Sequence, residues 1–158
     1  MAAAAAYAMT IRDARAEDLD AIVRLLAEDS LGAVPEEPGA DSYRRAFAAI
    51  EESPDNRLLV AEHDGAVVGT FQLTFIPNLS LHGGPRAQIE AVRVASALRG
   101  RGIGEAMMRW AIERAGEAGC VLVQLTSNAR RADARRFYER VGFVASHVGF
   151  KYVPPQDR

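Results

Sequence analysis

Apolar residues recur along this chain with two different periods, and the switches between them mark out its elements. Residues 10–14, TIRDA, form a short run that predicts a strand. From 16 to 29 the period becomes helical: Leu19, Ile22, Val23, Leu25 and Leu26 share one side, with acids in the first turn. A loop, PEEPG (35–39), precedes a second helix over 41–52, with Tyr43, Ala46, Phe47 and Ile50 on one side. Residues 57–76 then read as two β-rich runs joined by Asp64-Gly65, a pair suited to a type I′ turn. PNLSLHGGP (77–85) is a loop, and RAQIEAVRV (86–94) is a further long strand. A third helix carries Ile103, Ala106, Met107, Trp110 and Ala111 at i, i+3, i+4, i+7 and i+8, a core-packing stripe, and ends at Gly119. VLVQLT (121–126) is nearly all apolar, which predicts a strand buried on both faces. A helix over 132–141 stops at Gly142, a good C-terminal cap, and 143–153 close the chain as a strand or hairpin. The order β-α-α-β-β-β-α-β-α-β-β predicts an α/β fold, a mixed sheet with helices on both faces.

Composition narrows the function classes. At 158 residues the chain is expected to form one domain over 10–158, with MAAAAAYAM (1–9) as a disordered extension and Met9 as a candidate start. Apolar residues make up 49% and charged ones 25%, ordinary values for a globular protein. A net charge of −2 argues against nucleic acid as a partner. No apolar run approaches the roughly 18 residues of a membrane span, and the N-terminal segment lacks the basic start of a secretory signal. A cytoplasmic protein is expected. The single Cys120 excludes an internal disulfide and a cysteine-based zinc site, and reads as a small hydrophobe. His63, His82 and His147 match no metal-ligand spacing, so no metal is expected.

The chemistry concentrates in Arg99-Gly100-Arg101-Gly102-Ile103-Gly104, three glycines and two arginines directly ahead of a helix. Glycine admits close approach to the main chain or a positive φ. A helix N-terminus offers unpaired N–H groups to an anion, and arginines add charge. The bland alternative is an ordinary glycine-rich turn. Two nucleotide motifs fail here. G-x-G-x-x-G finds Glu105 where its third glycine belongs, and G-x-x-x-x-G-K-[ST] is absent.

Arg99-x-x-Gly102-x-Gly104, after the fourth strand, resembles the [Gln/Arg]-x-x-Gly-x-[Gly/Ala] pattern of the GNAT superfamily of acyl-CoA N-acyltransferases. SNARRADARRFYERVGF (127–143) is similar to a second signature of that family, with Phe137-Tyr138-Glu139 and Gly142-Phe143 at its end. The resemblance runs from residue 10 to about 153. It implies a mostly antiparallel twisted sheet whose fourth and fifth strands splay apart, with acetyl-CoA as co-substrate. It further implies that backbone groups of Val92, Arg93 and Val94 take the pantetheine arm as an added strand. Arg99, Gly100, Arg101, Gly102, Ile103, Gly104 and Glu105 would take the pyrophosphate. Asn128 would hydrogen-bond the coenzyme or a water, with Ala134, Phe137 and Tyr138 lining its other side, and RRADARR (130–136) is a solvated basic face near the ribose phosphate.

Acetyl transfer to an amine needs a neutral nucleophile, a polarised carbonyl and a protonated leaving thiol. An alkylamine with pKa near 10.4 is only about one part in 10³ neutral at pH 7, so its proton must be taken. The resemblance gives that task to Glu90, directly or through water; the alternative is a strand glutamate facing solvent or pairing with an arginine. Alternation would set Glu90 on one face with Gln88 and Val92. The family places a tyrosine at position 138 as general acid, and the alternative is an aromatic in the stripe Ala134, Phe137, Tyr138, Val141. The backbone N–H near Val92 would polarise the thioester. A GNAT-like sensor or scaffold that holds acyl-CoA without turnover is the rival reading. The acceptor, a small-molecule or peptide amine, is left open, its specificity expected in the 30–45 and 76–86 loops. A homodimer is compatible with the resemblance.

Overall fold

The computed structural model describes residues 8–28 and 35–155. Its elements are β1 (Thr10–Asp13), α1 (Leu19–Ala27), α2 (Asp41–Glu52), β2 (Asn56–His63), β3 (Ala66–Ile76), β4 (Arg86–Val94), α3 (Ile103–Glu117), β5 (Leu122–Leu125) and α4 (Ala132–Val141). The five strands form one sheet in the order β1-β2-β3-β4-β5. The first three pairings are antiparallel and β4–β5 is parallel. The chain divides into two compact units, one ending at Leu125 and one beginning at Thr126.

In the first unit, β2 and β3 meet at Asp64 and Gly65, whose φ values of 49° and 76° are the paired positive angles a type I′ turn requires. One face of the sheet is closed by α3. Phe71 meets the Trp110 ring edge-on at 6.0 Å, and a Cβ at Gly69 would lie 2.8 Å from Met107 Sδ. Leu59, Phe71, Leu73, Ala87 and Ile89 on this face, and Ile103, Met107, Met108, Ala111 and Ala115 on α3, are all fully buried. Burying a side chain of Leu, Ile or Met size is worth about 1.5–3 kcal/mol, so this interface holds the unit together. Arg57 and Arg114 stack on Trp110 at its rim.

The opposite face meets α1 and α2. Arg12, paired with Val60 and therefore on its face, reaches Asp18 just ahead of α1 and Glu62 of β2. Ile22, Val23 and Leu25 of α1 and Phe47 of α2 are buried, matching the sequence periodicity. The expected extension falls on residues 1–7, outside the described residues, and part of 8–9; Ala8 is described, and its carbonyl contacts His63 Nδ1.

Two expectations fail. β5 spans 122–125 rather than 121–126, and it is an edge strand, not one buried on both faces: Val121 is 58% and Leu122 42% exposed. An apolar run marks a strand buried on both faces only where other elements cover both faces, and the exposure of Leu122 shows that they do not here. Residues 143–153 form neither strand nor hairpin. Apolar residues recur there, but no ladder pairs them, and Val144, Val148, Phe150 and Tyr152 are exposed. Hydrogen-bond pairing defines a strand, and the pattern alone does not supply it.

In the second unit, α4 ends at Gly142 with φ 112°, where the N–H groups of Gly142 and Phe143 both return to the Tyr138 carbonyl. No described helix is long and apolar enough to cross a membrane.

Candidate active site

The site begins with a fault in β4. On β3 two steps separate Thr70 from Gln72, but their partners Arg93 and Glu90 lie three apart. One extra residue is therefore looped out of β4, a β-bulge, and Ala91 carries it at φ 52°. A non-glycine residue in this region is strained, which marks the position as functionally interesting. The bulge corrects the expected alternation. Arg93, across from Thr70, continues the Gln88–Glu90 face, while Val92 sits in the bulge. On the other side, β5 pairs β4 only from Arg86 to Ile89, so residues 90–94 have no β5 partner. This is the divergence expected of strands 4 and 5, and it opens the ladder at the stretch Val92–Val94.

The chain leaves β4 through a short 3-10 turn, Ser96–Leu98, and reaches the glycine-rich stretch. Gly100 and Gly102 have φ values of 77° and 82°, and a Cβ at either would meet nothing within 4 Å. Backbone conformation demands glycine here, and the space above both is open. Gly102 caps α3 and no side chain caps the helix, leaving its first-turn N–H groups for another acceptor. Ile103 is buried beneath this turn. Arg101 is exposed. Arg99 is anchored: its Nε donates to the Val94 carbonyl at 3.3 Å, and its Nη2 lies 3.9 Å from Glu28, just after α1. Glu28 also accepts the Ser96 N–H at 2.9 Å, which ties the start of the turn to α1. Glu105 pairs with Arg109, one turn along α3, at 2.7 Å.

Register assembles a set of residues that sequence reading did not. Asn56, Thr74, Gln88 and Gln124 form one row across β2, β3, β4 and β5, with Gln72 and Glu90 paired beside it. All lie on the face away from α3. Asn56 Oδ1 accepts from Thr74 at 2.7 Å and from Gln72 at 3.1 Å, while Gln124 donates to Gln88 at 2.7 Å. Arg86, two positions before Gln88, belongs to the same face. The alternating polar positions of the strands were visible in the sequence, but only register lines them up. Glu90 is exposed and makes no hydrogen bond or ion pair with a described residue, so its carboxylate is available to a ligand.

In the second unit, Asn128 is part of a turn. Its Oδ1 accepts the Arg130 N–H at 2.9 Å and its carbonyl the Arg131 N–H, so it shapes the turn into α4. Ala134, Phe137, Tyr138 and Val141 are the half-buried stripe of α4 that the periodicity indicated. Tyr138 packs edge-on between Phe137 at 5.1 Å and Phe143 at 6.0 Å, which fixes its ring. Cys120 is half-buried, and desolvation pushes its thiol pKa up, away from nucleophile behaviour. His82, at φ 57°, is exposed. Among the described residues no cluster of three His, Cys, Asp or Glu could hold a metal. The 30–45 loop lies partly outside the described residues.

The profile of the acetyltransferase (GNAT) family matches residues 19–143, across both units. The chain belongs to the GNAT acetyltransferase family. It is 34% identical over 140 residues to the aminoalkylphosphonate N-acetyltransferase of Salmonella typhimurium, covering 89% of this chain and 88% of that one. Among solved structures, a protein of Bacillus halodurans described as a transcriptional regulator is 48% identical, with a TM-score of 0.89 over 92% of this chain and 99% of that one. An aminoglycoside N-acetyltransferase in complex with CoA superposes with a TM-score of 0.76 over 93% and 95% of the two chains; at 15% identity it shares the fold. GNAT enzymes are acetyl-CoA-dependent N-acetyltransferases, and this is one of them.

Proposed function

We propose that the chain, acting as one catalytic domain over 10–158, moves an acetyl group from acetyl-CoA to the primary amine of a small molecule by direct attack on the thioester. The β4 bulge carries this reading. It sets Glu90 immediately before an open stretch of ladder, and that stretch leads into an uncapped helix start behind two left-handed glycines. Extended pantetheine suits the open ladder, and pyrophosphate suits the helix start. Glu90 takes the proton from the acceptor ammonium, directly or through water. The freed nitrogen lone pair attacks the carbonyl carbon, backbone N–H near Val92 supports the developing oxyanion, and the C–S bond breaks. Tyr138 supplies a proton to the departing thiolate, whose parent thiol has a pKa near 8.5 against about 10 for tyrosine. The nitrogen's remaining surplus proton passes to solvent, and exchange with solvent takes the proton from Glu90 and returns one to Tyr138. The relative named for aminoalkylphosphonates supports a small acceptor with a phosphorus anion near its amine.

Acetyl-CoA should stabilise the fold by about 2.7 kcal/mol at a hundredfold excess over its Kd. Gly102→Val should abolish that shift, with its circular dichroism checked because φ 82° strains any branched residue. Thiol release over a panel of amines then separates turnover from the sensor alternative, which predicts binding without release. Tyr138→Phe should lower kcat by on the order of 10²-fold, the low end for a general acid, with coenzyme affinity retained. An unaltered kcat assigns Tyr138 to packing.

A further inference from the structure

The two ends of the sheet face opposite α3 treat their charges differently. At the β1–β2 end, Arg12 is bonded to Asp18 at 2.6 and 3.0 Å and to Glu62 at 2.5 Å. At the β4 end, Arg86 and Glu90 share the same face and neither makes a hydrogen bond or ion pair with a described residue. Arg86 is half-buried, and its Nε is shielded from solvent without a partner. Shielded, unbonded Nε atoms also occur in Arg93 and Arg114, but those side chains bond through other nitrogens, to the Val92 carbonyl and to Glu117. Arg86 alone of the three holds its whole guanidinium in reserve. Packing holds it there: Pro85 accepts the Val121 N–H at 2.8 Å, and a Cβ at Gly84 would lie 2.5 Å from a Val121 methyl. The chain entering β4 therefore has little freedom.

Four residues along a strand span about 13 Å, and a long arginine and a glutamate on one face each close part of that gap. Between them lie the neutral Gln88, Gln124 and Thr74, joined by register and, for the two glutamines, by a 2.7 Å bond. A cation, an amide floor and a carboxylate in line form a receptor for the reverse dipole: an anion at one end and an ammonium at the other. Arginine's forked donors suit a phosphonate, phosphate or carboxylate. We infer that Arg86 binds an anionic group of the acceptor, so that the preferred substrates are small primary amines carrying an anion a few atoms from the nitrogen, their ammonium directed to Glu90. This rests on the acetyltransferase reading above and adds the residue that selects the acceptor.

The test compares 2-aminoethylphosphonate, β-alanine and propylamine as acceptors for the full chain, with acetyl-CoA saturating and kcat/KM followed by thiol release. The intact protein should prefer an anionic amine over propylamine by at least tenfold, in line with a charged hydrogen bond made on binding. Phosphonate against carboxylate shows which anion the fork fits. In Arg86→Gln the anionic-to-neutral ratio should fall at least tenfold, mainly through KM, and Arg86→Lys should restore part of it. Thermal unfolding of each variant separates selection from support of the fold. A ratio that Arg86→Gln leaves unchanged, whether or not Tm drops, overturns the inference and leaves the acetyltransferase reading intact. Indifference of the intact protein to the anion does the same. Absence of thiol release with every amine overturns both.

Discussion

The two faces of the sheet are built from the same strands and differ in almost everything else. Toward α3, Leu59, Phe71, Leu73, Ala87 and Ile89 are at most 1% exposed and entirely apolar. From the same strands the other face presents Asn56, Gln72, Thr74, Gln88 and Glu90, half-buried or exposed. Period-2 alternation makes this division possible, since a single strand can feed a core and a site without compromise. The other face shares in the core through Val60 and Thr70, and it also carries the groups able to exchange protons or hydrogen bonds with a ligand. The bulge at Ala91 is where the division is broken, and it stands beside the residue proposed to do the chemistry.

Substituting each face in turn separates these functions. The largest effect is expected at Glu90→Gln, which keeps size and polarity and removes the base. At neutral pH kcat/KM should fall by on the order of 10²–10⁴, while thermal stability changes little because the side chain has no partner among the described residues. The defect should shrink as pH rises from about 6.5 to 9.5, because over a tenth of an amine with pKa near 10.4 is then already neutral. A wild-type-to-variant ratio near one at every pH would remove Glu90 from the mechanism.

Neighbouring positions on β3 offer the converse. Leu73→Ala opens a cavity against α3 and should cost about 2–5 kcal/mol in urea unfolding. Thr74→Ala, one residue away, removes one hydroxyl bond to Asn56 and should cost about 1 kcal/mol. Equal losses at the two positions would mean that the polar face carries as much of the fold as the apolar one.

Much of this arrangement was legible in the sequence because it rests on local rules. Asp64-Gly65 demands its turn, α1 and α3 declare their buried sides by spacing, and Gly100 and Gly102 have the left-handed angles that their clustering suggested. What was missed depends on partners. Residues 143–153 have the composition of a strand but no ladder, and β5 reads as buried on both faces although Leu122 is exposed. Ala91 gives no local sign of a positive φ, so the bulge was invisible and Val92 was assigned the face that Arg93 takes. Arg86 attracts notice only once register shows which residues share its face.

The paired end of the polar face responds to acid. The Arg12 guanidinium, bonded to Asp18 and helped by the Arg15 N–H, holds the Asp18 carboxyl below its usual range against the opposing effect of burial. A lowered folded pKa means that the contribution is complete above the unfolded value, near 3.9, and fades as pH falls through the folded one. Asp18→Asn should therefore lose about 1–3 kcal/mol at pH 7, and the gap to wild type should close progressively below about pH 4. A gap that stayed constant to pH 2 would show that shape, not charge, is what Asp18 contributes.

The smallest effect is expected at the bulge itself, where two opposing terms nearly cancel. Ala91 at φ 52° bears the steric penalty of the left-handed region, about 1–2 kcal/mol for a residue with a Cβ. Glycine would remove that penalty and add back about 0.5–1 kcal/mol through the greater freedom of its unfolded chain. Ala91→Gly should thus stabilise the protein slightly, by under about 1.5 kcal/mol, in equilibrium unfolding. Ala91→Val supplies the opposite sign, since a β-branched residue tolerates positive φ worse than alanine. If Ala91→Gly instead destabilised the protein, the bulge would not be a strained feature held by its neighbours, and the methyl group would be making a packing contact that outweighs the backbone. The pair also bears on catalysis. A strained bulge is worth keeping only if its geometry serves Glu90 and the Val92 N–H, so a gain in stability accompanied by a loss in kcat would tie the strain to the chemistry.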